Sequence, residues 1–199
     1  MAKIKICGLK RFEDIDYVNE AKPDFAGFVF AGVKRKIDFL RAKELRKRLS
    51  PQIKAVGVFV NEPIDNILAA YKDGVFDIVQ LHGNEDDLYI DELYSRGIEE
   101  IIKAEIVSSA PKVAASRAKY LLFDSGAGSG KTFDWSFAQK MDILQPFFLA
   151  GGINEGNVLR AIAETHPYAV DVSGGVETEG LKDRKKIAGI VDMVRKAGK

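Results

Sequence analysis

The sequence has little of what a disulfide-linked, metal-binding or membrane-spanning protein needs. Among 199 residues there is one cysteine, Cys7, so no disulfide can form within the chain and a reducing compartment is expected. Two histidines, His82 and His166, are too few for a Cys/His metal cluster, and we predict no metal site. The longest apolar run, residues 25–33, is about half the ~20 residues that span a bilayer.

Net charge and a secretory leader are also lacking. The 30 basic and 29 acidic side chains leave a net charge of +1, which gives no overall field to attract nucleic acid or an anionic membrane. The opening residues MAKIKIC have no apolar core or cleavage site of a signal peptide. We therefore expect a cytoplasmic protein with neither kind of partner. With 46% apolar residues, the chain suits one globular domain over residues 1–199.

What the chain does have is a repeat of short apolar segments, each followed by a polar or helical one. Eight strands are predicted, at residues 3–7, 25–30, 54–60, 77–82, 100–106, 119–124, 146–151 and 168–173. Helical spacing follows most of them, at residues 12–21, 39–50, 66–74, 84–97 and 155–165, with a weaker candidate at 110–118. Strands that alternate with helices run parallel and are covered on both faces. Eight units favour a closed (β/α)8 barrel of the TIM type over an open sheet, with no room for insertions.

Glycine-rich turns follow the last two predicted strands. In such a barrel the active site lies at the carboxyl ends of the strands, and phosphate is commonly held by the loops after strands 7 and 8. The candidate phosphate-binding residues are Gly151, Gly152, Ser173, Gly174 and Gly175, with Asn154 as a helix cap. The alternative is that these glycines only make tight turns, but two such loops in the two expected places favour a phosphate site.

Cys7 and Asp124 end predicted strands 1 and 6, where catalytic groups belong. A lone cysteine in an apolar strand is most often a buried hydrophobic residue, yet at a strand end it can act as a base if its pKa is lowered. A carboxyl in an apolar mouth can hold and donate a proton, although it can also simply cap a loop. A base and an acid facing one pocket would suit a proton-moving isomerisation.

Four further polar residues lie at the ends of predicted strands 4 and 8 and just after predicted strand 2. Arg35 offers a guanidinium fork to a bound carboxylate, unless a surface carboxylate of the protein takes it. Gln80, His82 and Asp171 are predicted to lie in the substrate pocket and to bind the substrate. His82 and Asp171 are not assigned a catalytic role, because a polar side chain that is merely oriented in a loop or core is at least as expected at these positions.

The stretch LLFDSGAGSGKTFDW, residues 121–135, nearly matches the phosphate-binding loop of nucleotide hydrolases. The pattern G-x-x-x-x-G-K-[ST] requires glycine at position 125, where this chain has Ser125. An ATP-binding protein would also leave the glycines after strands 7 and 8 unused. We therefore interpret the stretch as the loop after strand 6, able to close over a substrate, with Lys131 either a surface charge or a guide for an anion.

Seven motifs in order give the chain a resemblance to the phosphoribosylanthranilate isomerase family of tryptophan biosynthesis. They are KICGLKRFED, GFVFAGVKRKI, VGVFVNE, DIVQLHGNE, LLFDSGAGSGKTFDW, PFFLAGGINEGNV and VDVSGGVETEGLKD. The resemblance implies a (β/α)8 barrel, a phosphosugar substrate, and an Amadori rearrangement from aldose to ketose without metal or cofactor. The sequence itself leaves both a monomer and a homodimer open.

Residue by residue, the family's catalytic cysteine falls on Cys7, its aspartate on Asp124 and its carboxylate-binding arginine on Arg35. The chain departs from the family's usual pattern at Lys10, at the triplet before Lys36, and at Gly174, where a second serine is common. The second departure means that Lys34 or Lys36 could share the role of Arg35. Other phosphosugar barrels are the main enzymatic alternative, but they usually rely on paired acidic residues or a metal.

Overall fold

Eight parallel strands close into a barrel in the computed structural model, which describes residues 2–107, 116–125, 135, 143 and 145–197. The strands are β1 (Lys3–Cys7), β2 (Phe25–Val29), β3 (Lys54–Phe59), β4 (Ile78–Leu81), β5 (Ile101–Ile106), β6 (Tyr120–Asp124), β7 (Phe147–Leu149) and β8 (Ala169–Val172). Each pairs with the next in chain order, and β8 pairs with β1. The predicted (β/α)8 barrel is confirmed, and every strand lies within its predicted range.

Six helices follow strands in the described part of the chain. They are α1 (Phe12–Ala21), α2 (Phe39–Arg48), α3 (Ile64–Lys72), α4 (Asp87–Ser95), α5 (Val158–Thr165) and α6 (Arg184–Lys196). Capping explains why α4 begins later than its predicted range, since the Asp86 carboxylate accepts a hydrogen bond from the Tyr89 amide at 2.9 Å. Of the weak helix candidate at 110–118, residues 116–118 are not helical and residues 110–115 lie outside the described residues.

The core has two layers because side chains alternate across each strand. Inside the barrel lie the apolar side chains of Phe25, Val56, Ile78, Ile102, Leu122 and Phe148. Between strands and helices lies a larger cluster that includes Ile4, Ile6, Phe28 and Phe59. Both faces of the strands are therefore covered, as their nearly continuous apolar sequences predicted. The alternation also means that the last inward side chain of each strand reaches the mouth of the barrel.

The connection from β8 to α6 contradicts the expectation that the chain has no room for insertions. A single 3-10 turn, Gly174–Val176, leads into a two-stranded antiparallel hairpin of β9 (Glu177–Thr178) and β10 (Leu181–Lys182). Glu179 and Gly180 make its turn with φ values of 52° and 76°. The expectation failed because a hairpin of two two-residue strands joined by a tight turn takes up very few residues. The hairpin stands at the mouth of the barrel.

No helix in the described residues is long and apolar enough to cross a membrane.

The aromatic cluster behind β3 gives a test of the core. Phe59 is fully buried and its ring lies 4.9 Å from that of Phe30 and 5.3 Å from that of Phe76, centroid to centroid. Phe59→Ala should lower the free energy of unfolding by about 3–5 kcal/mol, because it leaves a cavity. Urea denaturation measures this, with exposed Leu40→Ala as the control, for which a change within about 0.5 kcal/mol is expected. A loss below about 1 kcal/mol for Phe59→Ala would contradict the packing described.

Candidate active site

A cavity of about 770 Å³ opens at the carboxyl ends of the strands. All eleven residues predicted for the site line it: Cys7, Arg35, Gln80, His82, Asp124, Gly151, Gly152, Asp171, Ser173, Gly174 and Gly175. Lys34 lines the cavity as well, whereas Lys36 bridges back to Val29 in the ladder. Lys131 and the rest of residues 126–134 lie outside the described residues. The structure brings the predicted residues together, and their roles remain predictions.

Cys7 is the last inward side chain of β1 and is almost completely buried. Burial raises the pKa of its thiol, and the neighbouring Lys5 ammonium offsets part of that rise. The lowered pKa that a basic thiol would need is therefore not found in this structure. Space beside the sulfur is set by Gly27 on β2, because a Cβ there would lie 2.7 Å from Sγ. The Ser173 hydroxyl donates to the Cys7 carbonyl at 3.0 Å and holds the loop after β8 against the end of β1.

Asp124, His82 and Gln80 form a row across the cavity. Burial lowers the pKa of His82 despite the nearby Asp124 carboxylate, so the imidazole is neutral at neutral pH. The Gln80 amide nitrogen lies 3.1 Å from His82 Nδ1. If that amide donates, Nδ1 is the acceptor and the ring proton sits on Nε2, an assignment made from the hydrogen-bond network. Nε2 then faces Asp124 Oδ2 at 3.6 Å, just beyond hydrogen-bonding distance.

Arg35 is held by a carboxylate of the protein itself. Its Nε and one terminal nitrogen donate to the two Glu177 oxygens at 2.7 and 2.8 Å, and Lys182 donates to Glu177 at 2.8 Å. Burial alone would raise the pKa of Glu177, but the hydrogen bonds from Arg35 and Lys182 outweigh it and lower the pKa to about 2. This pairing uses two of the five guanidinium N–H groups, and the other three have no acceptor among the described residues.

The glycine-rich loops after β7 and β8 touch one another. Gly151 and Gly152 have φ values of +86° and +66°, a conformation that favours glycine. A Cβ at Gly175 would collide with the Ile153 carbonyl oxygen, so this glycine allows the two backbones to meet. Asn154, predicted as a helix cap, instead accepts from the Gly156 amide at 2.8 Å, and Asn157 is the residue that precedes α5. The cap prediction was wrong because three more turn residues stand between Asn154 and the helix.

The family model of N-(5'-phosphoribosyl)anthranilate (PRA) isomerase matches residues 4–193. The chain belongs to this family. The N-(5'-phosphoribosyl)anthranilate isomerase of Endomicrobium trichonymphae is 50% identical to it over 200 residues, covering 98% of this chain and 99% of that protein.

Two solved structures of PRA isomerases have the same fold. The enzyme from Thermus thermophilus superposes with a TM-score of 0.88 at 28% identity, over 98% of each chain. Another was solved in complex with reduced 1-(o-carboxyphenylamino)-1-deoxyribulose 5-phosphate and superposes with a TM-score of 0.84 at 33% identity, over 98% of this chain and 100% of that one.

Three charged residues of this PRA isomerase site were missed in the sequence. Glu177 and Lys182 lie on the hairpin, and Lys5 is fully buried against Asp171 at 2.7 Å inside the barrel. The period-two pattern of β1 could have found Lys5, since it places Lys5 on the same face as Cys7. Glu177 has no comparable pattern. In the described residues no group of three or more His, Cys, Asp or Glu side chains could hold a metal ion.

Neighbouring glycines in the loop after β8 offer a matched pair of variants. Gly175→Ala places a Cβ against the Ile153 carbonyl oxygen and should push the two glycine loops apart, whereas a Cβ at Gly174 would lie 3.5 Å from the nearest Arg35 nitrogen. We expect Gly175→Ala to raise KM for PRA more than about tenfold, equivalent to ~1.4 kcal/mol, and Gly174→Ala to change it far less. Steady-state kinetics of both variants measure the difference. Equal effects would show that contact between the loops does not shape the site.

Proposed function

We propose that this chain isomerises N-(5'-phosphoribosyl)anthranilate by an Amadori rearrangement in which Cys7 is the base and Asp124 the acid. The observation that carries the assignment is that Cys7 and Asp124, which end β1 and β6, line the same cavity as the two glycine-rich loops. The chain belongs to the PRA isomerase family, and its fold is that of the enzymes of this name.

The chemistry needs one proton delivered and one removed. Asp124 protonates the ring oxygen of the ribose, and the anthranilate nitrogen pushes the ring open to an iminium. The iminium makes the adjacent C2' proton acidic, and the Cys7 thiolate removes it. The enolamine then tautomerises to the ketone of 1-(2-carboxyphenylamino)-1-deoxyribulose 5-phosphate. Because the nitrogen lone pair supplies the electrons, the proposed sequence uses no metal or cofactor.

His82 and Gln80 are proposed to orient Asp124 and the sugar. With its proton on Nε2, the neutral His82 ring faces Asp124 Oδ2 at 3.6 Å, so it can orient the carboxyl group that is proposed to protonate the ring oxygen of the substrate. Gln80 Oε1 and Asp171 Oδ1 are buried and have no hydrogen-bond partner among the described residues. Both residues line the cavity, and their oxygens can accept hydrogen bonds from ribose hydroxyls.

The two charged ends of the substrate are assigned to different groups, the carboxylate to an arginine side chain and the phosphate to loop backbone. Arg35, held in place by Glu177, presents its remaining N–H groups to the anthranilate carboxylate, a planar acceptor that a guanidinium fork fits. The backbone of the loops after β7 and β8 is assigned to the phosphate through Gly152, Gly174 and Gly175. Ser173 stands between these loops and Cys7.

We further propose that the chain works in the cytoplasm as one domain, as a monomer or a homodimer, with a phosphosugar as its partner and with neither nucleic acid nor membrane. The near-zero net charge supports the last point.

The decisive assay is the decay of fluorescence of freshly made PRA when the purified chain is added. Cys7→Ser and Asp124→Asn should each lower kcat at least 10²-fold, since each removes a proton-transfer group. Circular dichroism and binding of a reduced product analogue, both expected to be retained, control for folding and for the site. Near-full turnover by either variant would refute the role given to that residue.

The carboxylate assignment is tested by three neighbouring substitutions. Arg35→Ala should raise KM at least about tenfold, because the charge-assisted pair with the substrate is lost. Lys36→Ala is the control and should leave KM within a factor of about two, since Lys36 is not part of the cavity lining. Lys34→Ala tests whether the other lining cation shares the role. An unchanged KM for Arg35→Ala with a raised KM for Lys34→Ala would move the assignment.

A further inference from the structure

A buried ion pair lies inside the barrel directly beneath Cys7. Lys5 of β1 and Asp171 of β8 are register partners, and Lys5 Nζ lies 2.7 Å from Asp171 Oδ2. Lys5 is wholly inaccessible and Asp171 nearly so. The desolvation energy lost by burying two charges is usually larger than the attraction between them. Apolar residues of similar size would stabilise the core equally well. The second oxygen, Asp171 Oδ1, has no partner among the described residues. Stability therefore gives a poor reason for this pair.

The ammonium of Lys5 is placed between a carboxylate and a thiol. Lys5 and Cys7 are two residues apart on β1, so both side chains point into the barrel. Lys5 donates to Asp171 at 2.7 Å, and its charge lowers the pKa of the neighbouring Cys7 thiol against the effect of burial. Burial alone would lower the pKa of Lys5, but Asp171 and Cys7 outweigh it and hold the pKa above its ordinary value. Lys5 thus remains charged inside the barrel.

Other charged groups face Cys7 from the surrounding elements. Asp171 disfavours the thiolate from β8, and Lys182 favours it from β10. The other charged or titratable groups around the cavity in the described part of the chain are Lys34, Arg35 with its partner Glu177, and His82 with Asp124. Lys182 and Arg35 are both hydrogen-bonded to the Glu177 carboxylate, whereas Lys5 reaches the thiol from within the barrel. Lys5 is also the largest charged influence on the thiol.

We propose that Lys5 is a positioning residue for the isomerisation, whose ammonium is shared between Asp171 and the Cys7 sulfur and stabilises the thiolate that removes the C2' proton. The inference rests on the proposed role of Cys7 as the base. The thiol first loses its proton to solvent. When the thiolate attacks, the C2'–H bond breaks, an S–H bond forms, and the electron pair of the broken bond neutralises the iminium. Lys5 then has Asp171 as its remaining anionic partner until the thiolate forms again.

The two halves of the ion pair should affect Cys7 in opposite directions, and this gives the test its sign. Cys7 is the only cysteine in the sequence, so the pH dependence of iodoacetamide alkylation, measured by mass spectrometry on the peptide that contains Cys7, reports on this thiol alone. Lys5→Met should raise the midpoint of that titration by roughly one to two pH units, since a unit positive charge is lost a few Å away. Asp171→Asn should lower the midpoint, because Lys5 is then left to the sulfur. A loosened barrel would instead lower the midpoint in both variants, by hydrating the thiol.

Lys3→Met is the matched control for Lys5→Met. Lys3 lies on the same face of β1, two residues further from Cys7, where it donates to the Tyr168 hydroxyl at 2.9 Å. The titration of Cys7 should not move in this variant. If Lys5→Met fails to fold because Asp171 is left buried without a partner, the double variant Lys5→Met/Asp171→Asn removes both charges. The midpoint of the Cys7 titration should then be higher in the double variant than in Asp171→Asn alone, because only the double variant lacks the Lys5 charge.

Turnover provides the second readout. In Lys5→Met, kcat/KM at neutral pH should fall about tenfold for each unit by which the midpoint rises, and should recover as the pH is raised, because the base must be deprotonated. A midpoint that is unchanged or lowered by loss of Lys5, in both backgrounds, would overturn the inference. The thiol titration needs no substrate, so it is independent of turnover. A fully active Cys7→Ser variant would instead refute the proposed role of Cys7.

Discussion

The pairing of β8 with β1 closes the barrel, and the site depends on this seam. The register sets Lys5 opposite Asp171 and Ile6 opposite Val172, which leaves Cys7 and Ser173 side by side at the mouth. The Ser173 hydroxyl fixes that arrangement by donating to the Cys7 carbonyl. A slip of one residue along the seam would turn Lys5 or Asp171 towards the helices and would part Cys7 from the loop after β8. The thiol, its buried counter-ion and the predicted phosphate loop are therefore set by a single strand pairing.

Much of the fold and of the site was predictable from the sequence because the information is local. Short, nearly continuous apolar runs locate the eight strands, and the barrel rule then directs attention to the residue that ends each one, which selects Cys7 and Asp124. All eleven predicted residues line one cavity for the same reason, since the mouth of a parallel barrel gathers every strand end. No knowledge of long-range contacts was needed for that step.

What the sequence did not reveal is which charges meet. Arg35 and Glu177 are 142 residues apart, and Lys5 and Asp171 are 166 apart. Such partners are decided by the closure of the barrel and by the path of the hairpin, neither of which leaves a repeat in the sequence. Arg35 illustrates the point. The sequence left open whether Arg35 binds a carboxylate of the protein or one of a ligand. It can bind both, because Glu177 uses only two of the guanidinium N–H groups.

The contact between the loops after β7 and β8 has a consequence for how such a barrel can be modified. A (β/α)8 barrel is often regarded as a scaffold on which each loop can vary by itself. Here Gly175 lies against the Ile153 carbonyl and Gly151 lies against Ser125, the residue after Asp124. The loops after β7 and β8 thus meet through a glycine that leaves no space for a side chain, and the loop after β7 meets Ser125 in the same way. Transplanting either loop from another barrel would carry along a backbone shape that its neighbour does not match. The loops after β7 and β8 form one module, to be exchanged together or not at all.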